Sequence, residues 1–374
     1  MPEVPFESLE VNNFRGFSHL VVEQLGRVNL IVGKNSVGKS SLLEALWLYA
    51  QRGSLRTIEE LLISRDELSS SRVRSELDWE KIETAIRSLL HGRADIRRGG
   101  AAIRIGPLDT PDRLLALNIG WYRRRKEEDG AVGVAVQSSP SSELPPDAFI
   151  GCAVQFGEER GVIRGFERLG GRTFASRVTD DQVMPSFFMP ANGLSQGQIG
   201  LLWDEIALTD LEEDVVRSLQ IVVPEIERIN LISMYDDFSE RVGRIPVIRM
   251  RGEKLPIPLR ELGEGTSRML GLTLCLVNTQ GGLLLIDEID SGLHYSTQYR
   301  LWELIFEVAR RLNIQVFATT HSWDCIESFQ AAASVNENDG MLIRLSRKGE
   351  GAIASTTFDG RRLKIATREH IEIR

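Results

Sequence analysis

Residues 33 to 40 read GKNSVGKS, the pattern G-x-x-x-x-G-K-[ST], between an apolar stretch from Val28 to Val32 and a segment from Ser41 to Gln51 with Leu42, Leu43, Leu46 and Tyr49 at helical spacing. A buried strand, a glycine loop and a helix in that order leave little choice of local structure. Gly33 and Gly38 let the backbone curl with its N–H groups inward, and the following helix aims its positive end at the same point, so an anion is expected there. Lys39 would neutralise β- and γ-phosphate charge, and the Ser40 hydroxyl would take one place on an octahedral Mg2+ ion. A nucleoside triphosphate with Mg2+ is the ligand this loop suits.

The second half of such a site is legible further on. Residues 283 to 288, LLLIDE, run four apolar residues into two carboxylates, as a buried strand does when it ends at a ligand. Asp287 is expected to hold Mg2+ through water, and Glu288 to be the general base that orients and deprotonates the attacking water. After one more helix, the strand QVFAT leads to Thr319, Thr320, His321 and Ser322, which puts an imidazole at a neighbouring strand end, where it can sense a γ-phosphate. Residues 262 to 266, LGEGT, open another apolar helix and form a second anion-facing helix start. A triphosphate cradled by residues 33 to 40 does not readily reach that second surface of its own chain. Two chains clasping two nucleotides reciprocally, under C2 symmetry, is the economical arrangement, so a homodimer or higher even oligomer is expected.

The ordered set GKNSVGKS, LGEGT, LLLIDE, DSGLH and TTHS resembles the ABC-type ATPases of the SMC-like, RecF-like and OLD-like group, and the opening LEVNNFRGF is similar to OLD-like and RecF-like members. The resemblance covers about residues 6–50 and 255–330. It implies an α/β fold, a P-loop NTPase of ABC type with a mostly parallel central sheet, an N-terminal antiparallel β layer and an inserted helical lobe. It also implies hydrolysis of ATP to ADP and phosphate. On this pattern the chain divides into an N-terminal ATPase lobe at 1–56, an inserted β-hairpin and helical lobe at 57–250 and a C-terminal ATPase lobe at 251–374. Carried over residue by residue, Arg15 approaches the phosphates, Asn35, Ser36 and Ser41 belong to the phosphate loop and its edge, Gly263 and Gly265 form the signature, and Ser291 to His294 cross the dimer interface. Gly263 stands where many signatures have serine and His294 where transporters have aspartate, which weighs against a transporter subunit. Gln155, Gln196 and Gln198 remain alternatives for the Q-loop glutamine.

The remaining composition narrows the setting. With 42% hydrophobic and 26% charged residues the chain is of ordinary globular make-up, and no apolar run approaches the ~20 residues a membrane helix needs. No basic segment and apolar core open it, and Cys152, Cys275 and Cys325 form no C-x-x-C pair, so a cytoplasmic location without a zinc site is expected. A net charge of -8 does not suggest a general polyanion binder. OLD-like proteins often carry a Toprim nuclease after the ATPase, built around a glutamate and a D-x-D cluster. Here 53 residues follow His321 without a D-x-D, so a fused nuclease is not expected and a separate, nuclease-like effector in bacterial anti-phage defence is. The alternative is a RecF-like DNA clamp, for which Arg123, Arg124, Arg125 and Lys126 speak. Glu127, Glu128 and Asp129 follow them at once, as in any solvated turn. Between Ser195 and Val223, Leu201, Leu202 and Trp203 are expected in a core and Glu212, Glu213 and Asp214 on an exposed face.

Overall fold

The computed structural model describes residues 4–68, 79–98, 101–126, 132–137, 148–158, 162–166, 183–235, 242–336, 339–360 and 362–363. The expected serine break at 69–71, hairpin turn at 127–130 and loop at 138–146 lie outside the described residues.

Three strands buried at every position form the centre: β3 (Val28–Val32), β13 (Leu283–Ile286) and β14 (Gln315–Thr319), apolar but for Asn29, Gln315 and Thr319. Strands of that kind belong in a parallel sheet covered on both faces. They lie in a six-stranded sheet of order β16-β15-β3-β14-β13-β9, with β9 at Ser186–Met189, β15 at Gly340–Arg347 and β16 at Ile353–Asp359. Every pairing is parallel except that of β15 with β16. Among the described residues after His321, β15 and β16 complete this sheet.

Alternate residues of the sheet feed two cores. Leu284, Ile286, Val316 and Ala318 face α6 (Glu264–Val277), α7 (Tyr295–Arg311) and α8 (Trp323–Val335). Leu283, Leu285 and Phe317 face α1 (Lys39–Ala50) and an antiparallel layer. That layer begins with β1 (Leu9–Phe14) and β2 (Phe17–Val22) and continues through β4 (Ala101–Gly106), β5 (Leu115–Lys126), β7 (Ala148–Phe156) and β8 (Val162–Gly165), with β6 (Val132–Gln137) paired to β5. Trp302 and Phe306 close the first core around Phe329, at ring separations of 4.9 and 5.9 Å.

Beside α4 (Gln196–Ile206) and α5 (Leu211–Val222) lies a three-stranded sheet of β10 (Ile226–Tyr235), β11 (Val242–Met250) and β12 (Ile257–Pro258). The stretch expected to be an inserted hairpin and helical lobe thus holds this second sheet beside its helices. Two expectations there need correction. Leu201 is 70% exposed while its neighbours Leu202 and Trp203 are buried, because one turn of α4 cannot face all three inward. Asp214 is buried and paired with Arg311 of α7, so it fastens α5 to the sheet-covering helices rather than facing solvent.

Candidate nucleotide site

β3 stops at Val32 because the next residue must bend sharply: Gly33 has φ of +146°, and a Cβ on it would lie 2.5 Å from the Leu345 carbonyl oxygen. At the other end of the loop Gly38 has φ of +101°, with the Phe17 ring 2.9 Å from where its Cβ would be. Helix α1 follows at once, and its first residue, Lys39, curls back over the loop. Nζ donates to the Gly33 carbonyl at 2.9 Å and to that of Lys34 at 3.3 Å, and lies 3.2 Å from Nδ1 of His321. An ammonium can only donate, so His321 accepts at Nδ1 and carries its proton on Nε2. Burial lowers the pKa of Lys39, and the carboxylates of Asp287 and Glu288 oppose that shift. This is a cation held among dipoles, ready for an anion.

Both carboxylates follow the end of β13, beside the end of its neighbour β14. Asp287 Oδ1 accepts from Ser40 Oγ at 3.1 Å and from Thr319 Oγ1 at 2.6 Å. The same Thr319 oxygen accepts the Glu288 backbone N–H at 2.9 Å, so one hydroxyl fixes both neighbours. Glu288 has φ of +49°, a left-handed conformation that costs about 1 kcal/mol outside glycine and that its surroundings must hold. Its carboxylate is 3.6 Å from Nε2 of His321. Arg268, buried on α6, holds the backbone beneath: Nη2 donates to the carbonyls of Asp287 and Glu288 at 2.8 and 3.0 Å, and Nη1 to those of Pro190 and Ala191 at 2.8 and 2.9 Å. Desolvation lowers the pKa of its guanidinium, against the pull of Asp287.

Lys39, Ser40, Glu288 and His321 border a cavity of about 760 Å³, within the size range of small-molecule sites. Of the residues selected from sequence, Arg15, Asn35, Ser36, Gly38, Lys39, Ser40, Ser41, Glu288 and His321 line it. Gly33 lies under the loop and Asp287 is joined through Ser40. Arg15 is engaged by Glu44 at 3.1 Å and Glu67 at 2.6 Å, with Arg65 on the other Glu44 oxygen at 2.6 Å. Burial raises the pKa of Glu44, and the two guanidiniums oppose that rise. One amino group of Arg15, Nη2, is buried and has no hydrogen-bond partner among the described residues. Thr319 stood in the sequence only as the start of TTHS, without a role of its own, and no signal pointed to Arg268, Glu44, Arg65 or Glu67.

Gly263, Gly265 and Ser291 are not in the cavity wall. They lie together elsewhere: a Cβ on Gly265 would meet the Gly292 carbonyl oxygen at 2.7 Å, so the glycine lets the start of α6 rest on the Ser291 loop. Gly263, with φ of +97°, is exposed at the helix N-terminus. Among the glutamines, Gln196 and Gln198 open α4 just beyond the end of β9, whereas Gln155 is on the antiparallel layer.

Comparison with known proteins agrees with this geometry. Residues 184–324 match the family described as "AAA domain, putative AbiEii toxin, Type IV TA system", and residues 6–86 match an AAA ATPase domain. The chain is similar to an ATP/GTP phosphatase of Helicobacter pylori, 21% identical over 345 residues and covering 86% of each chain. A DNA replication and repair protein RecF of Desulforudis audaxviator is 27% identical over 137 residues, 34% of this chain and 38% of that protein. The fold is that of an SMC head solved bound to the C-terminal winged-helix domain of ScpA, with a TM-score of 0.50 and 15% identity over 97% of this chain and all of that one. Fold and site together define a P-loop ATPase of the ABC type. Within that class the chain is similar to RecF over part of its length and has the fold of an SMC head.

Proposed function

We propose that the protein is a Mg2+-dependent ATPase that closes on a second copy of itself around nucleotide and uses that closure to control a separate effector. The observation that carries the two-copy reading is the place of Gly263 and Gly265, at an exposed helix start outside the cavity that holds Lys39, Glu288 and His321. A helix N-terminus on the surface attracts phosphate, and a partner's bound triphosphate is the ligand that would complete it.

Within the cavity the roles follow from the contacts. Lys39 exchanges the carbonyls of its own loop for β- and γ-phosphate oxygens, while the N–H groups of residues 33 to 40 cradle the rest. Glu288 orients the attacking water and takes its proton. His321, with its proton on Nε2, donates to the γ-phosphate. Arg15, on the cavity wall, approaches the phosphates from the other side. Ser40 and Asp287 already share a hydrogen bond and are oxygen donors, which fits a hard divalent cation. Mg2+ held there would offset charge on the β- and γ-phosphates.

The effector reading, in anti-phage defence, rests on the AbiEii-like match of residues 184–324 and on the OLD-like order of motifs. The RecF relative and the exposed Arg123 favour a second reading, a DNA clamp. Light scattering with and without ATP and Mg2+, on the wild type and on Glu288→Gln, tests the core of the proposal. The variant is expected to bind ATP, hydrolyse it at least about a hundredfold more slowly and double its mass. A variant whose mass never changes with ATP, starting from a monomer, would sink the two-copy reading. The locked form then serves to separate the two roles: retention on DNA that weakens steeply with salt supports the clamp, and ATP-dependent capture of a neighbouring gene's product supports effector control.

A further inference from the structure

β15 runs parallel to β3 with Arg344 opposite Val32, so the residues after Arg344 continue beside the loop that follows Val32. The Leu345 carbonyl fills the space a Cβ on Gly33 would need. Two residues on, Arg347 reaches the phosphate loop itself, where Nη2 donates to the Ser36 carbonyl at 2.9 Å. The chain then turns back: Lys348 N donates to the Ala352 carbonyl at 2.7 Å and Gly351 N to that of Lys348 at 3.1 Å. β16 begins with Ile353, whose Cδ1 is 3.2 Å from where a Cβ on Gly16 would be. Arg347, Gly351 and Ile353 consequently form part of the cavity wall, although they are over 300 residues from the loop they border.

Arg347 differs from Arg15 and Arg65, the guanidiniums described above on the cavity wall. Arg15 and Arg65 are each held by carboxylates. Arg347 is exposed, and among the described residues no carboxylate pairs with it. Its one hydrogen bond is to a neutral carbonyl, which leaves N–H donors and a full charge facing the place where the loop would cradle an anion.

We infer that Arg347 is a further nucleotide-binding residue, anchored on Ser36 and presenting its remaining N–H groups to the phosphate chain of the bound triphosphate. This rests on the nucleotide reading of the cavity and adds to it a residue from the C-terminal hairpin. Anchoring on one carbonyl fixes the guanidinium beforehand, so little rotamer freedom is lost when phosphate arrives.

Equilibrium ATP affinity of the wild type, Arg347→Gln and Arg347→Lys distinguishes charge from bracing, with thermal melting to confirm that each variant folds. Glutamine keeps a shorter amide donor without the charge, whereas lysine keeps the charge on a longer arm. Affinity is expected to fall about tenfold in the glutamine variant, in line with the loss of one charge-assisted hydrogen bond, and less than about threefold in the lysine variant. The gap between wild type and the glutamine variant should narrow as salt is raised. Folded Arg347→Gln that binds ATP as tightly as the wild type overturns the inference and leaves Arg347 as a brace for the loop. A wild type that binds no ATP overturns the reading of the cavity as well, so the two failures are told apart by the wild type alone.

Discussion

Thr319 carries more of the site than its chemistry suggests. Its hydroxyl donates to Asp287 and accepts from the backbone N–H of Glu288, and so sets the angle between the residue read as the metal-side carboxylate and the one read as the base. Valine has nearly the same shape without the hydroxyl. Thr319→Val should leave ATP affinity within about threefold and lower turnover at saturating ATP by about tenfold or more, since 1.4 kcal/mol in the barrier is a factor of ten. Parallel losses in affinity and turnover, in a steady-state assay beside a binding titration, would mean that Thr319 supports the whole pocket and not the base. Residues such as Lys39, Ser40, Asp287 and Glu288 were legible in the sequence because their chemistry needs short contiguous patterns: a loop that must curl, a strand that must end in acid. Thr319 gave no such signal. Its partners lie 31 and 32 positions away, and only the pairing of β13 with β14 brings them together.

At the level of elements, α6 joins two surfaces. Its N-terminus presents Gly263 and Gly265, and one turn later Arg268 reaches under the strand ends and grips the carbonyls of Asp287 and Glu288, together with those of Pro190 and Ala191 where the chain leaves β9. Movement of the helix start is therefore transmitted to the backbone that holds the left-handed Glu288. Arg268→Met keeps an apolar stem but removes one donor from each of four carbonyls, of which those of Pro190 and Glu288 still accept from Gly193 N and Ser291 N. Unfolding free energy, from denaturant titration, is expected to drop by about 2–4 kcal/mol, and turnover to fall more than ATP affinity. Unchanged stability would show that the four carbonyls find water or other donors and that α6 is not tied to the site in this way. Helices and buried strands of this part follow the sequence pattern closely, because α6, α7, β13 and β14 have unbroken apolar periodicity. The sheet of β10 to β12 did not show itself. Ile229, Leu231 and Ile248 point inward, but Arg228, Asn230 and Arg249 interleave with them, and Pro246 interrupts the second strand. Half-polar strands with a proline among their residues resemble surface loop until their partner is known.

At the scale of the whole molecule, the parallel sheet separates two cores and puts the ends of β3, β13 and β14 on one edge, where Lys39, Asp287, Glu288 and His321 meet. The glycine-rich start of α6 and the Ser291 loop lie together outside that cavity. If two copies share their sites, each active unit takes its phosphate loop from one chain and its signature from the other. Lys39→Ala should disable the first contribution and Gly265→Arg the second, so each variant alone is expected to be inactive. In a one-to-one mixture half the dimers pair one variant with the other, and each mixed dimer holds one intact composite unit and one doubly broken one. The mixture should therefore recover about a quarter of wild-type activity, provided the units act independently and the variants assemble without preference. Recovery also has to rise with total protein concentration, because it depends on encounter. A mixture no more active than its components, while both variants still dimerise by light scattering, would place every catalytic group within one chain and remove the reason for closure.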